Sequence, residues 1–474
     1  MRYSIAAPVL ALLASAEGAE TILGAYMFHR HGDRTPKSLA PTNLTTLGYE
    51  QGYTSGQYYR SRYLTGPSKI YKLNEDIVKL NQIAVTSPTD NVLQISAMAF
   101  LQGLYPPVGQ TIQVLANGDK VQAPMDGYQL IPVNTVEAGS GSEDNGWLQA
   151  ATGCYKATTS SNNYFSSSEY ESLLSSTADF YKQLVPVVNG TLAENYVTYK
   201  NAYIVYDLIN VATIHNTSIP SSSTLTATTL LQTRTLADTH EWNLAFNASS
   251  PIRSIAGMQL AGEILTSLNS TITSGTAGKT ANKLAIQFGA YATFLSFFGL
   301  ANLPAANADF TGVPDYASVM VFELFTTVEV AGGYPAKQDI QVRFLFHNGT
   351  TTEASEPVVY PLFGGASGAV SWVEFEGKMR QFAVLTTEEW CGKCGNTTGA
   401  CAAYAGGDGG EELGARGKGA GGMSAAVGGV VGAFVALGVV FLVLGAGMLL
   451  GGLRLVSRKG LGAGKATQVV ERKV

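Results

Sequence analysis

Residues 423–453 carry no charged side chain. That run is longer than the ~20 apolar residues needed to cross the hydrocarbon core of a bilayer. It divides the chain into a large body, one membrane helix and a short tail. Arg454, Arg458 and Lys459 follow at once, so the positive-inside rule places tail 454–474 in the cytosol and the body outside. A removable lipid-anchor signal is the rival reading. It would end in its hydrophobic stretch, whereas this chain continues with polar residues. Gly428-x-x-x-Gly432 and Gly447-x-x-x-Gly451 have the spacing that packs two such helices, but chance explains them in so glycine-rich a stretch. At the other end, Arg2, the apolar run Ile5–Leu13 and Ala14-Ser15-Ala16 form a signal peptide, residues 1–16.

Composition supports that topology. After residue 453 there are six Lys/Arg and one Glu, and before residue 17 the only charge is Arg2. The body keeps 23 basic and 34 acidic residues, a net −11. A body so acidic is a poor partner for nucleic acid. Seven Asn-x-Ser/Thr sequons begin at Asn43, Asn189, Asn216, Asn247, Asn269, Asn348 and Asn396, all between the two membrane signals. The four cysteines are Cys154, Cys391, Cys394 and Cys401. In an oxidising compartment they suggest two disulfides, with three connectivities open. Cys154 has no close cysteine neighbour, so it is expected to bridge to one of the other three. Zinc is the weaker reading of Cys391-x-x-Cys394, since no histidine follows Cys401. Residues 402–422, rich in glycine, read as a flexible stalk.

Within the body, Thr21–His29 reads as a buried strand. Leu80–Thr86, Lys283–Gly289 and Ser318–Leu324 read as further strands, and Gln341–Phe346 as an outer one. Helical stretches are expected over Asp90–Leu104, Leu173–Val185, Thr235–Phe246 and Ser254–Leu268. Strands at both ends with helices between suggest an α/β core bearing an inserted helical lobe. The first strand delivers Arg30-His31-Gly32-Asp33-Arg34-Thr35-Pro36. The two arginines are planar, permanently charged forks that match phosphate oxygens. Gly32 lets the backbone approach a ligand, and Pro36 suits the first turn of a following helix with a positive N-terminus. An imidazole between such arginines can attack phosphorus and form a phosphohistidine.

This heptad, with its Arg-His-Gly-x-Arg-x-Pro pattern, resembles the signature of the histidine acid phosphatases, the branch of the phosphoglycerate mutase-like superfamily that includes phytases. Leu44–Gln51, Arg60–Tyr63, Ser96-Ala97, Ala99–Pro107, Ser254–Gly257, Leu295–Leu300 and Phe322–Leu324 are similar to other family segments. The resemblance spans about Thr21 to Cys401. It implies a phosphoglycerate mutase-like α/β core with an inserted α-helical domain and the active site between them. It also implies His31 as nucleophile, Arg30 and Arg34 as phosphate ligands, a phosphomonoester substrate, and no metal or other cofactor. The expected organisation is then a signal peptide 1–16, an ectodomain 17–401 with its lobe at roughly 105–280, a stalk 402–422, a membrane helix 423–453 and a basic tail 454–474.

Two family positions are changed. A further phosphate-binding arginine falls, counted back from Ser96-Ala97, on Val92. The family's His-Asp pair, in which the aspartate protonates the leaving oxygen, has become Tyr291-Ala292. Ala292 has no proton to give, and a phenol with a reference pKa near ~10 is a poor substitute. Candidate replacements are Glu143, which ranks first, then its neighbour Asp144, His29 if it shares a face with His31, and the pair His240-Glu241. Nothing in the sequence raises His215 or His347. The resemblance therefore implies a phosphomonoesterase of impaired activity. The alternative is a pseudophosphatase that binds a phosphorylated ligand without turnover, and a purely structural surface glycoprotein stands third.

Overall fold

The computed structural model describes residues 20–109, 112–136, 153–215, 223–279, 282–330 and 332–405. The signal peptide, membrane helix and tail expected from the sequence lie outside them, as do Glu143, Asp144, Asn216 and all of the expected stalk after residue 405; the first residues of that stalk belong to the 3-10 helix Gly399–Tyr404. Among the described residues no helix is long and apolar enough to cross a membrane.

Strand β1 (Thr21–Arg30) is buried at nine of its ten positions. A run so continuously buried needs cover on both faces, and β1 has it at the centre of an eight-stranded sheet. The other strands are β2 (Ile83–Pro88), β5 (Asn134–Val136), β6 (Leu284–Gly289), β7 (Val319–Thr326), β8 (Gln341–His347), β9 (Val358–Tyr360) and β10 (Ala369–Ser371), in the order β10-β8-β7-β1-β6-β2-β5 with β9 also on β8. β3 (Ile112–Val114) and β4 (Lys120–Gln122) form a separate exposed hairpin. β1 runs parallel to β6 and antiparallel to β7. β8, read from sequence as an outer strand, has β7 on one side and β9 and β10 on the other. Its alternating pattern arises from its two faces: Val342 and Phe344 enter an apolar core, and Gln341 and Arg343 on the opposite face stay half-buried.

Helices α1 (Thr46–Arg60) and α2 (Asn91–Leu104) cover one face, where Met27, Phe100, Ile286 and Val321 share a core. Each starts on a side-chain cap, Thr45 to the Gly48 N–H and Asp90 to the Leu93 N–H. The two helices touch backbone to backbone: a Cβ on Gly56 or Gly103 would collide with the opposing carbonyl. The second face is covered by α8 (Ile255–Thr276), α9 (Tyr291–Leu300) and α10 (Trp372–Met379), packed on Tyr26, Phe28 and Phe322.

Between β5 and α8 lies a helical lobe of α3 (Tyr155–Asn162), α4 (Ser168–Ser176), α5 (Ala178–Val188), α6 (Ala202–His215) and α7 (Ala227–Ala245). It has its own apolar core around Tyr181, Leu184, Tyr199 and Leu208. The mixed α/β architecture is as read from the sequence; the helices of the lobe run from Tyr155 to Ala245. Cys154 bridges to Cys394 at the end of α11 (Thr387–Cys394), and Cys391 bridges to Cys401.

Candidate active site

β1 and β6 end side by side, with Arg30 the register partner of Gly289. Ligands of open α/β sheets bind beyond such carboxyl ends. The segments leaving the two strands therefore form the floor of one site.

After β1 comes the signature loop. The His31 ring is wholly buried and its Nδ1 lies 2.7 Å from the Gly32 carbonyl oxygen. That oxygen only accepts, so Nδ1 carries the proton and Nε2 the lone pair, the tautomer that a nucleophile needs. The His31 carbonyl accepts from the Ala317 N–H at 2.8 Å. Ala317 has φ 62°, in the left-handed region that an alanine rarely adopts. Arg30 donates to the Pro314 carbonyl and to the Tyr203 hydroxyl, the latter at 3.3 Å, and its guanidinium lies 4.6 Å from the Tyr316 ring centroid and 5.4 Å from that of Tyr291.

Gly32 has a role other than the one expected. A Cβ there would overlap the backbone of Gly48 at the start of α1, so this glycine permits a close approach of two backbones rather than of a ligand. Pro36 likewise does not open a long helix. It caps the three-residue 3-10 turn Lys37–Leu39, and the first α-helix begins only at Thr46. That helix is fixed to the loop through Asp33, which accepts from the Thr45 hydroxyl at 2.5 Å.

After β6 the chain enters α9 through Ala290, Tyr291 and Ala292, all buried. The Tyr291 hydroxyl donates to Glu241 Oε2 at 2.8 Å, and Glu241 Oε1 lies 2.8 Å from His240 Nδ1. The His240-Glu241 pair thus sits behind Tyr291, on the lobe side. Ala292 belongs to the apolar core. Val92 is fully buried in α2.

The lobe contributes groups that the sequence reading missed. Asp207, from α6, accepts from Arg34 Nη2 at 2.9 Å and Nη1 at 3.2 Å, and both side chains are buried. The Lys37 N–H donates to the same carboxylate at 2.8 Å. Tyr203 packs on Tyr291 with ring centroids 4.7 Å apart, and burial raises its phenol well above the ordinary range. The available signal was Asp207 itself, a lone carboxylate in the apolar stretch Ala202–Ile214, since such a charge is buried only when paired. His215 Nε2 reaches Asp33 Oδ1 at 2.6 Å and so pins α6 to the signature loop.

His29 does not face the site. β1 ends at Arg30, so strand alternation stops before it can align His29 with His31. His29 instead stacks on Phe288 and packs against Phe100, and burial pushes its pKa down to about 3. His347 bonds to the Thr350 carbonyl. Among the described residues no cluster of three or more His, Cys, Asp or Glu is placed to hold a metal ion. Of the described sequons, Asn43, Asn189 and Asn348 are exposed, and Asn247, Asn269 and Asn396 are half-buried.

A cavity of about 190 Å³ opens at this junction, lined among others by Arg30, Tyr203, Asp207 and Tyr316. His31 and Arg34 are not among its lining residues. A larger cavity of about 1020 Å³ lies across the Val313–Asp315 stretch, which borders both.

A sequence profile of the histidine phosphatase superfamily (branch 2) matches residues 38–347. The chain belongs to that superfamily. The chain is 24% identical over 380 residues to lysosomal acid phosphatase of Xenopus laevis, an alignment covering 77% of each chain. It is 28% identical over 208 residues to human prostatic acid phosphatase, covering 41% of this chain and 48% of the relative. Among solved structures it is similar to the phytase of Citrobacter braakii, with 14% identity, 80% of this chain and 100% of that chain covered, and a TM-score of 0.49.

Proposed function

We propose that this member of the superfamily is a phosphomonoester hydrolase of impaired turnover that works through a phosphohistidine at His31. In the step proposed, Nε2 attacks phosphorus, the bond from phosphorus to the alcohol oxygen breaks, and water later releases phosphate from the imidazole. Arg30 supplies charge to the phosphoryl oxygens from the rim of the cavity. The observation that carries the impairment is the occupant of the β6 exit: Tyr291 donates its hydroxyl to Glu241, and Ala292 offers no proton to the leaving oxygen. Positioned proton transfer contributes ~10²–10⁴-fold in comparable chemistry.

A second reading is favoured by Asp207. It occupies the Arg34 fork, and His31 is wholly buried. A pocket in that state suits a pseudophosphatase that retains a phosphorylated ligand without cleaving it. The full-length chain and its His31→Ala variant, assayed on nitrophenyl phosphate, separate the two. Slow hydrolysis that disappears in His31→Ala is the expected result. Hydrolysis that persists in the variant contradicts the phosphohistidine, and none in either protein leaves the second reading.

We further propose that residues 17–401 form a glycosylated ectodomain in the secretory pathway, cleaved from signal peptide 1–16 and anchored by one helix at 423–453. The seven sequons, the uncharged run with its basic flank, and two disulfides in the body support this.

A further inference from the structure

We infer that Asp207 makes the cavity select a phosphate group that still carries a proton over a fully ionised tetrahedral anion such as sulfate. This rests on the reading that the cavity takes phosphate.

The cavity wall presents one cation, Arg30, and two carboxylates, Asp207 and Asp315. Asp315 is partly exposed and paired with Arg234 at 2.8 Å, so the buried carboxylate on the wall is Asp207. Four donors converge on the Asp207 carboxylate. Arg34 supplies two, at 2.9 and 3.2 Å, the Lys37 N–H a third at 2.8 Å, and the Tyr316 hydroxyl a fourth at 3.4 Å. Arg34 Nη1 also donates to the Thr35 carbonyl at 2.9 Å, and Nη2 to the Tyr203 hydroxyl at 3.5 Å. The Arg34 guanidinium is therefore neutralised where it stands and directed at internal acceptors, with its side chain fully buried. It does not act as a second cation for an incoming ligand.

An ionised carboxylate only accepts hydrogen bonds. A tetrahedral anion without a proton would place its own accepting, negative oxygens against Asp207, in surroundings that screen little. A protonated phosphate has one charge fewer and an O–H to donate. The Tyr316 bond is the longest of the four, so it is the one a ligand O–H replaces, and the freed phenol then donates to a phosphate oxygen. Other charged groups near the carboxylate are Asp315, held by Arg234, and Lys37 and Asp33 in and just after the signature loop. Lys37 Nζ lies 5.0 Å from the Tyr203 ring centroid and 5.1 Å from that of Tyr291. Asp33, by contrast, is occupied by Thr45 and His215.

The test is calorimetric titration of the full-length chain with inorganic phosphate and with sulfate near pH ~5, where phosphate carries two protons and one negative charge and sulfate carries no proton and two charges. The wild type should bind phosphate at least about tenfold more tightly, the scale set by leaving one buried acceptor unmatched. Asp207→Asn keeps the shape and removes the charge, and should shrink that preference by strengthening sulfate. A second measurement needs no variant: as pH rises, phosphate gives up one of its two protons and reaches the charge of sulfate, so its affinity relative to sulfate should fall, while the O–H it keeps preserves part of the preference. Equal binding of the two anions by the wild type overturns the inference, as does an Asp207→Asn protein that keeps the full preference, or a phosphate-to-sulfate ratio that does not change with pH. If neither anion binds the wild type, the phosphate reading itself falls as well.

Discussion

Arg30 and Gly289 end adjacent parallel strands in the same register, yet the segments beyond them differ in kind. Beyond β1 the chain keeps a charged, hydrogen-bonded loop: Arg30 on Tyr203, the His31 ring fixed by the Gly32 carbonyl, Arg34 on Asp207. Beyond β6 it keeps packing. Tyr291 lies against Tyr203 and donates to Glu241, and Ala292 sits in the apolar core. The β1 exit needs Gly32, Asp33 and Ser96 to seat the loop on α1 and α2, so its residues are bound to the fold as well as to any ligand. The β6 exit is the first turn of a helix whose buried face accepts apolar side chains. Tyr291 and Ala292 fill buried space there.

Restoring the second exit gives the largest expected effect. The double replacement Tyr291→His with Ala292→Asp should raise turnover of unactivated alkyl phosphates by ~10²–10⁴-fold, the usual contribution of a positioned acid. It should also lower thermal stability, because it places a carboxyl where a methyl group was buried. Unchanged turnover in a folded double variant would show that the β6 exit does not limit the reaction.

One residue before the exits the two strands are alike, with His29 stacked on Phe288 at 4.9 Å. Burial holds the His29 pKa at about 3 in the folded chain, against ~6.5 when unfolded. The folded state therefore resists a proton that the unfolded state takes up, and stability is lost as pH falls from ~6.5 toward 3. His29→Leu removes that penalty. At pH ~4 it should unfold roughly 3 kcal/mol less readily, relative to wild type, than the same comparison gives near pH ~8. Parallel stability–pH curves for the two proteins would contradict the buried neutral imidazole.

A smaller effect tests whether Tyr291 belongs to packing. Tyr291→Phe keeps the ring on Tyr203 and removes only the bond to Glu241, so it should cost roughly 1–3 kcal/mol of stability and leave hydrolysis of nitrophenyl phosphate within a few-fold of wild type. A large loss of rate with stability intact would make the phenol a participant in the chemistry.

What the sequence disclosed and what it hid divide along the same line. β1 was legible because a continuous apolar run ending in Arg30–Pro36 is local information. The exit of β6 into Tyr291-Ala292 was legible because it follows a strand as plain as the first. The partners were not. Asp207 meets Arg34 across 173 residues and Glu241 meets Tyr291 across 50, and both contacts are made by how the helical lobe folds back over the sheet. His215 is similar: only α6 lying against the signature loop gives it Asp33. The role of Gly32 was misread for the same reason, since the backbone of Gly48 that it must clear belongs to the next helix.

The central claim is that the leaving oxygen receives no proton at Ala292. It is tested most directly by the leaving-group dependence of the unmodified full-length chain, with turnover measured on a series of phosphate esters from nitrophenyl to simple alkyl. An activated nitrophenyl oxygen departs without protonation, whereas an alkoxide does not. The account predicts measurable cleavage of the nitrophenyl ester and a steep fall to near background for the alkyl esters. Comparable rates across the series, all lost in His31→Ala, would mean that another group supplies the proton and would contradict it.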